Sequence, residues 1–105
     1  KFMILDTLQL MEDMHSQSLQ ACSNTRQSAH AQLLGVQDKM HGLLIDWLEM
    51  ELKIVKARNI YGTASLDEIV KIARPLALLK GRHKYISYVT LKDIVNKHVT
   101  KTVTS

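Results

Sequence analysis

Apolar side chains recur in steps of three and four along most of this chain, a period that predicts helices rather than strands. The clearest run is Leu33, Val36, Met40, Leu43, Trp47, Met50, Ile54 and Ala57, an unbroken seam across more than three heptads. Leu34, Leu44, Leu48, Leu52 and Val55 form a further set on an adjacent face. A two-stranded coiled coil needs only the narrow seam, so the wider coverage predicts a helix packed on more than one side, as in a bundle or a higher oligomer. Upstream, Ile4, Leu8, Met11, His15 and Cys22 lie at helical spacing, with Met3, Leu10 and Met14 as a second stripe, and predict a helix from about Phe2 to Cys22. The polar stretch 16–32 follows, and Ser23-Asn24-Thr25 is its best turn: Asn24 tolerates left-handed backbone and Thr25 is placed to cap the next helix. Ala, Gln and Arg in the same stretch are good helix formers, which leaves one uninterrupted helix as the alternative. Gly35 and Gly42, seven apart on one face, read either as a place where another backbone comes close or as tolerated weak points.

Beyond the seam, Asn59, Ile60, Tyr61, Gly62 and Thr63 read as a connecting turn. Ser65-Leu66-Asp67-Glu68 is a capping box, and Leu66, Ile69, Val70, Ala73, Leu76, Ala77 and Leu79 predict a buried stripe that stops at Lys80-Gly81. Pro75 removes one backbone hydrogen bond and is expected to bend this helix near Lys71 to Arg74. Residues 82–89 read as irregular or briefly extended, because Tyr85, Ile86, Tyr88 and Val89 favour strands. Thr90-Leu91-Lys92-Asp93 is a second box-like start, followed by a face of Leu91, Ile94, Val95, His98 and Val99 and a frayed Thr-rich tail. The fold class expected is all-α and bundle-like, in a single helical domain. A long N-terminal helical hairpin, or one long helix, occupies 1–57, and two shorter C-terminal helices occupy 65–100.

Composition agrees with a globular chain: of 105 residues, 46% are apolar and 23% charged, with four Gly and one Pro. No apolar run approaches the roughly 18 residues of a membrane span, and no charged-then-apolar leader argues for secretion. The single cysteine, Cys22, excludes an internal disulfide and a Cys-based zinc module, and fits an intracellular site, cytoplasmic or nuclear. An opening at Lys1 rather than Met reads as a piece of a longer protein. Charge is divided along the chain. Residues 1–52 carry three cations against seven carboxylates, a net −4, while residues 53–105 carry eleven against three, a net +8. Such halves attract each other within one molecule or between copies, and the basic half attracts anionic partners.

Catalytic chemistry finds little to stand on. Cys22 and His15 share a helix face, but about 10 Å of axial separation prevents a direct hydrogen bond; a buried structural cysteine is the favoured reading of Cys22. Glu49 and Glu51 diverge on a helix and make no acid pair. Neither a phosphate-binding loop nor a nucleophile elbow occurs. His30, Asp38 and His41 lack metal-ligand spacing, so neither a metal nor a cofactor is expected. The residues Ile72-Ala73-Arg74, Ala77-Leu78-Leu79-Lys80-Gly81-Arg82, Val89-Thr90 and Asp93-Ile94 resemble the small helical lid of AAA+ ATPases over about two dozen positions. That resemblance includes nothing catalytic and implies no ATP hydrolysis.

Association is the reading favoured by the residues: a non-enzymatic helical interaction or oligomerisation module. Leu33, Val36, Met40, Leu43, Trp47, Met50 and Ile54 would form its contact face, Trp47 acting as anchor, against another copy or a partner helix. The competing reading makes the same seam the core of an ordinary four-helix bundle. The alternative function is nucleic-acid binding through Lys80, Arg82, His83, Lys84, Lys92, Lys97 and Lys101, with Tyr85 and Tyr88 stacking on unpaired bases; the same basic surface would equally take an acidic protein. Tyr85 and Tyr88 otherwise help to seal the core.

Overall fold

A computed structural model describes residues 3–81 and 86–99, and for 23–25 the backbone alone. The described chain is all helical, two long helices followed by shorter ones: α1 Met3–Gln20, α2 Ser23–Ile60, α3 Leu66–Gly81 and α4 Tyr88–Ile94, the last running directly into a π-helical segment, Val95–Val99. The α2 helix is the spine. At 1.5 Å per residue its 38 residues span about 57 Å, which accounts for the 56 Å long axis of the molecule. Both α1 and α3 pack on α2 and share no substantial contact with each other, while α4 and the π-helical segment lie against α1 and α2.

The core is one apolar cluster drawn from every element. From α1 it takes Ile4, Leu8 and Met11, and from α2 Leu33, Met40, Leu44, Leu48 and Val55. The α3 helix adds Ile72, Leu76 and Leu79, and the C-terminal segment Leu91, Ile94, Val95 and Val99. On α3 the buried stripe differs from the expected one. Ile72 faces the core, whereas Leu66, Val70 and Ala77 are exposed, because the contact with α2 runs through the 3-4-3 spacing 69, 72, 76 and 79.

Helix ends explain most boundary differences. The break between the long helices falls at Ala21–Cys22, just before the expected Ser23-Asn24-Thr25 turn. Cys22 adopts extended backbone (φ −70°, ψ 169°) at the N-cap position, and Arg26 N–H already bonds the Cys22 carbonyl at 2.7 Å, so helical bonding resumes immediately and the backbone of 23–25 is already helical. Cys22 is exposed rather than buried, since it sits at this open corner. The α2 helix runs through Asn59 and Ile60, which the sequence assigns to a turn, and closes in a Schellman motif. Gly62 is left-handed at φ 77°, Gly62 N–H donates to Asn59 and Thr63 N–H to Arg58. The capping box at Ser65 is reciprocal: Ser65 N–H donates to Glu68 Oε2 at 2.9 Å and Glu68 N–H to Ser65 Oγ at 3.4 Å. Pro75 sits inside an unbroken α3, and Gly81 is its last helical residue rather than a left-handed stop. The final helix starts at Tyr88, ahead of the expected Thr90, because Ser87 is the cap: its Oγ accepts from Thr90 N–H at 3.2 Å. Tyr88 and Val89 are therefore helical rather than extended, while 82–85 lie outside the described residues. No Cβ added at Gly35 or Gly42 would meet an atom within 4 Å, so among the described residues no second backbone comes close there, which leaves the reading as tolerated weak points.

Candidate functional site

The α2 seam divides in this fold. Leu33 and Met40 are buried in the chain's own core, and Val36, Leu43 and Trp47 are half-buried against it. Met50 is 65% exposed and Ile54 49% exposed. A second face therefore carries much of the burial: Leu44, Leu48 and Val55, the neighbouring set in the sequence, lie inside. The division follows from what covers α2, because the packed elements approach its C-terminal half from the Leu44–Leu48–Val55 side. Leaving 65% of a methionine in water forfeits most of the transfer free energy of roughly 1.5–3 kcal/mol that burial of such a side chain yields.

Beside the exposed part of the seam lies an open cleft of about 310 Å³, where α2, α3 and the π-helical segment meet. Its walls include Trp47 and Val55 of α2, Ile72 of α3, and a rim of Arg58, Lys71 and Lys97 with the carboxylates Glu51 and Glu68. Two of these rim groups are already used locally: Arg58 donates through Nη2 to the Thr63 carbonyl at 2.9 Å, and Glu68 completes the capping box. Among the described residues, no group of three or more His, Cys, Asp or Glu side chains is arranged to hold a metal ion, and no helix is long and apolar enough to cross a membrane.

The cationic set is engaged wherever it is described. Lys80 on α3 pairs with Glu49 on α2 at 2.6 Å, Lys92 on α4 with Glu12 on α1 at 3.5 Å, and Lys97 with Asp93 at 3.2 Å. The first two join the basic half of the chain to the acidic half within one molecule. Each pair is largely solvent-exposed, so water and salt screen it and its contribution to stability is small. The hydrogen bond and charge of Lys80 hold the Glu49 carboxyl below its ordinary pKa. Tyr88 and then the Glu12 carboxylate raise the pKa of Lys92. Tyr88 already has a stacking partner: the His15 imidazole lies on its ring, with centroids 4.4 Å apart and planes 14° from parallel, and Lys92 Nζ sits 5.8 Å from the ring centroid. Tyr88 thus helps to close the core, tying α4 to α1. Arg82, His83, Lys84, Tyr85 and Lys101 lie outside the described residues.

Sequence reasoning missed the contact between His41 and α3, in which Nε2 lies 2.6 Å from the Leu79 carbonyl. The sequence also gives no sign that Ile60, Tyr61 and Leu66, around the α2–α3 turn, stand exposed together at one end of the molecule. The periodicity marks these residues as apolar, but only the packing decides which of them another element covers.

Comparison with protein-family models, with curated proteins and with solved structures finds no match. The likeness to the AAA+ lid rests on the quoted residues alone.

Proposed function

We propose that this chain is a non-enzymatic helical interaction module that associates through the exposed part of its α2 seam, centred on Trp47, Met50 and Ile54. The observation that carries the reading is the uncovered C-terminal half of that seam. Large apolar side chains here face water on a rigid helix whose opposite side is anchored in the core. Molecular shape supports it. The radius of gyration is 15.7 Å against about 13 Å for a compact domain of 105 residues. The accessible surface is 7084 Å², about 1,100 Å² above the roughly 5,950 Å² that scaling gives for 11.9 kDa. Contiguous exposed apolar surface of this kind marks interaction sites on soluble domains.

Light scattering across a dilution series, at low and high salt, tests the reading. The expected result is a molar mass that rises with concentration above 11.9 kDa, and a return to monomer in the double variant Met50→Asp, Ile54→Asp with helix content unchanged by circular dichroism. Trp47 is the chain's single tryptophan, so its emission should shift to shorter wavelength as the face is covered. A parent chain that stays monomeric throughout, with constant emission, sinks the reading.

A further inference from the structure

From Leu43, steps of four, three, four, three and four lead through Trp47, Met50, Ile54 and Ala57 to Tyr61. None of these six side chains is buried: Leu43 and Trp47 are half-buried, and the other four are exposed, Tyr61 to 84%. At about 100° per residue, this line lies roughly 120° around α2 from Leu44, Leu48 and Val55, which point into the core. The line is about 27 Å long: its Leu43 and Trp47 end packs partly against the core, and Met50, Ile54, Ala57 and Tyr61 turn outward.

Resting on the reading above, we propose that the occupant of this face is the same segment of a second copy, packed antiparallel about a two-fold axis. The seam is self-complementary in that direction. With Met50 level with the partner's Ile54, Trp47 falls opposite the partner's Ala57 and Leu43 opposite the partner's Tyr61, and the axis repeats every contact. The bulkiest side chain of the face then meets the smallest. Flanking charges favour the same direction. Glu51 lies within reach of the partner's Arg58, and Asp46 within reach of the partner's Lys53, each twice. A parallel pair in register would instead set each flanking charge, Asp46, Glu51, Lys53 and Arg58, level with its own like-charged copy. None of the three ion pairs has to be dismantled to admit the second helix, although Trp47, Glu51 and Arg58 of the cleft wall would take part in the contact.

Disulfide trapping reads the register directly. In a Cys22→Ser background, Met50→Cys and Ile54→Cys are made as separate chains and oxidised alone or mixed. In the proposed register, position 50 of one copy is level with position 54 of the other. A self-pair at 50 is offset by about 6 Å along the axis, beyond disulfide reach. The expected result is a mixed dimer formed in several-fold excess over either self-linked dimer. Efficient self-linking of Met50→Cys marks a parallel pair and overturns the inference. So does an absence of the mixed product in samples whose scattering mass is dimeric; the interaction reading survives that result. A parent chain that is monomeric by scattering at every concentration overturns both.

Discussion

His41 and Leu79 meet across the α2–α3 contact, the imidazole Nε2 lying 2.6 Å from the Leu79 carbonyl oxygen. A carbonyl only accepts, so Nε2 carries the hydrogen and donates. Leu79 belongs to the last turn of α3, whose carbonyls have no partner within the helix. The bond therefore satisfies a helix end and locks the middle of the spine to it. His41→Ala should cost about 1–2 kcal/mol, because the carbonyl loses a partner in a half-buried place. For a domain of this size that lowers the thermal midpoint by roughly 4–8 °C per kcal/mol. His41→Gln, which retains a side-chain N–H, should recover part of the loss in the same melting experiment.

The Lys80–Glu49 pair gives stability an acid limb. With Lys80 beside it, the folded carboxyl has a pKa below its ordinary value. The folded state thus keeps Glu49 ionised at pH values where the unfolded chain has begun to take up a proton. The resulting stabilisation is complete above the ordinary carboxylate pKa and is lost as pH falls through the depressed one. Glu49→Gln should accordingly be less stable than the parent at neutral pH and indistinguishable from it well below the carboxylate range. Urea midpoints measured across that range check the sign. Because the pair is exposed, added salt should shrink the neutral-pH difference.

Two serines define where the C-terminal helices begin. Ser65→Ala removes one arm of the reciprocal box and should cost about 1 kcal/mol. Ser87→Ala should cost a similar amount, since Ser87 Oγ accepts from Thr90 N–H and also contacts Thr90 Oγ1 at 3.0 Å. Thr90→Ala loses only the side-chain contact and should cost clearly less. A larger loss at Thr90 than at Ser87 in thermal melts would return the cap to Thr90.

The period of the apolar residues makes the all-α architecture and the long helices legible in the sequence alone, and the Ser65-to-Glu68 spacing does the same for the cap. Local chemistry also marked the turn at 59–63, although not that α2 continues through Ile60 to a left-handed Gly62. Faces were harder to read. Met40, Trp47 and Met50 belong to one seam in the sequence, yet one is buried, one half-buried and one exposed. Both stripes on α2 are apolar enough for a core, and the choice between them depends on where α1 and α3 end along the spine, a long-range fact. The engagement of Tyr88 with His15 was illegible for the same reason, since the two rings are far apart in sequence.

That division predicts opposite behaviour for two neighbours on α2. Leu48 is fully buried, so Leu48→Ala removes apolar contacts and leaves a cavity, for a loss of about 2–5 kcal/mol. Met50 lies two residues on, 65% exposed, and Met50→Ala removes almost nothing from the single chain. At concentrations where the protein is monomeric, its melting temperature should match the parent's. At higher concentration the parent gains stability by mass action from association, and the Met50→Ala variant should gain less. Melting curves at two concentrations for both variants separate the roles: Leu48→Ala shifts both curves down together, whereas Met50→Ala closes the gap between them. Equal, concentration-independent losses for the two substitutions would place Met50 in the core and remove it from the association face.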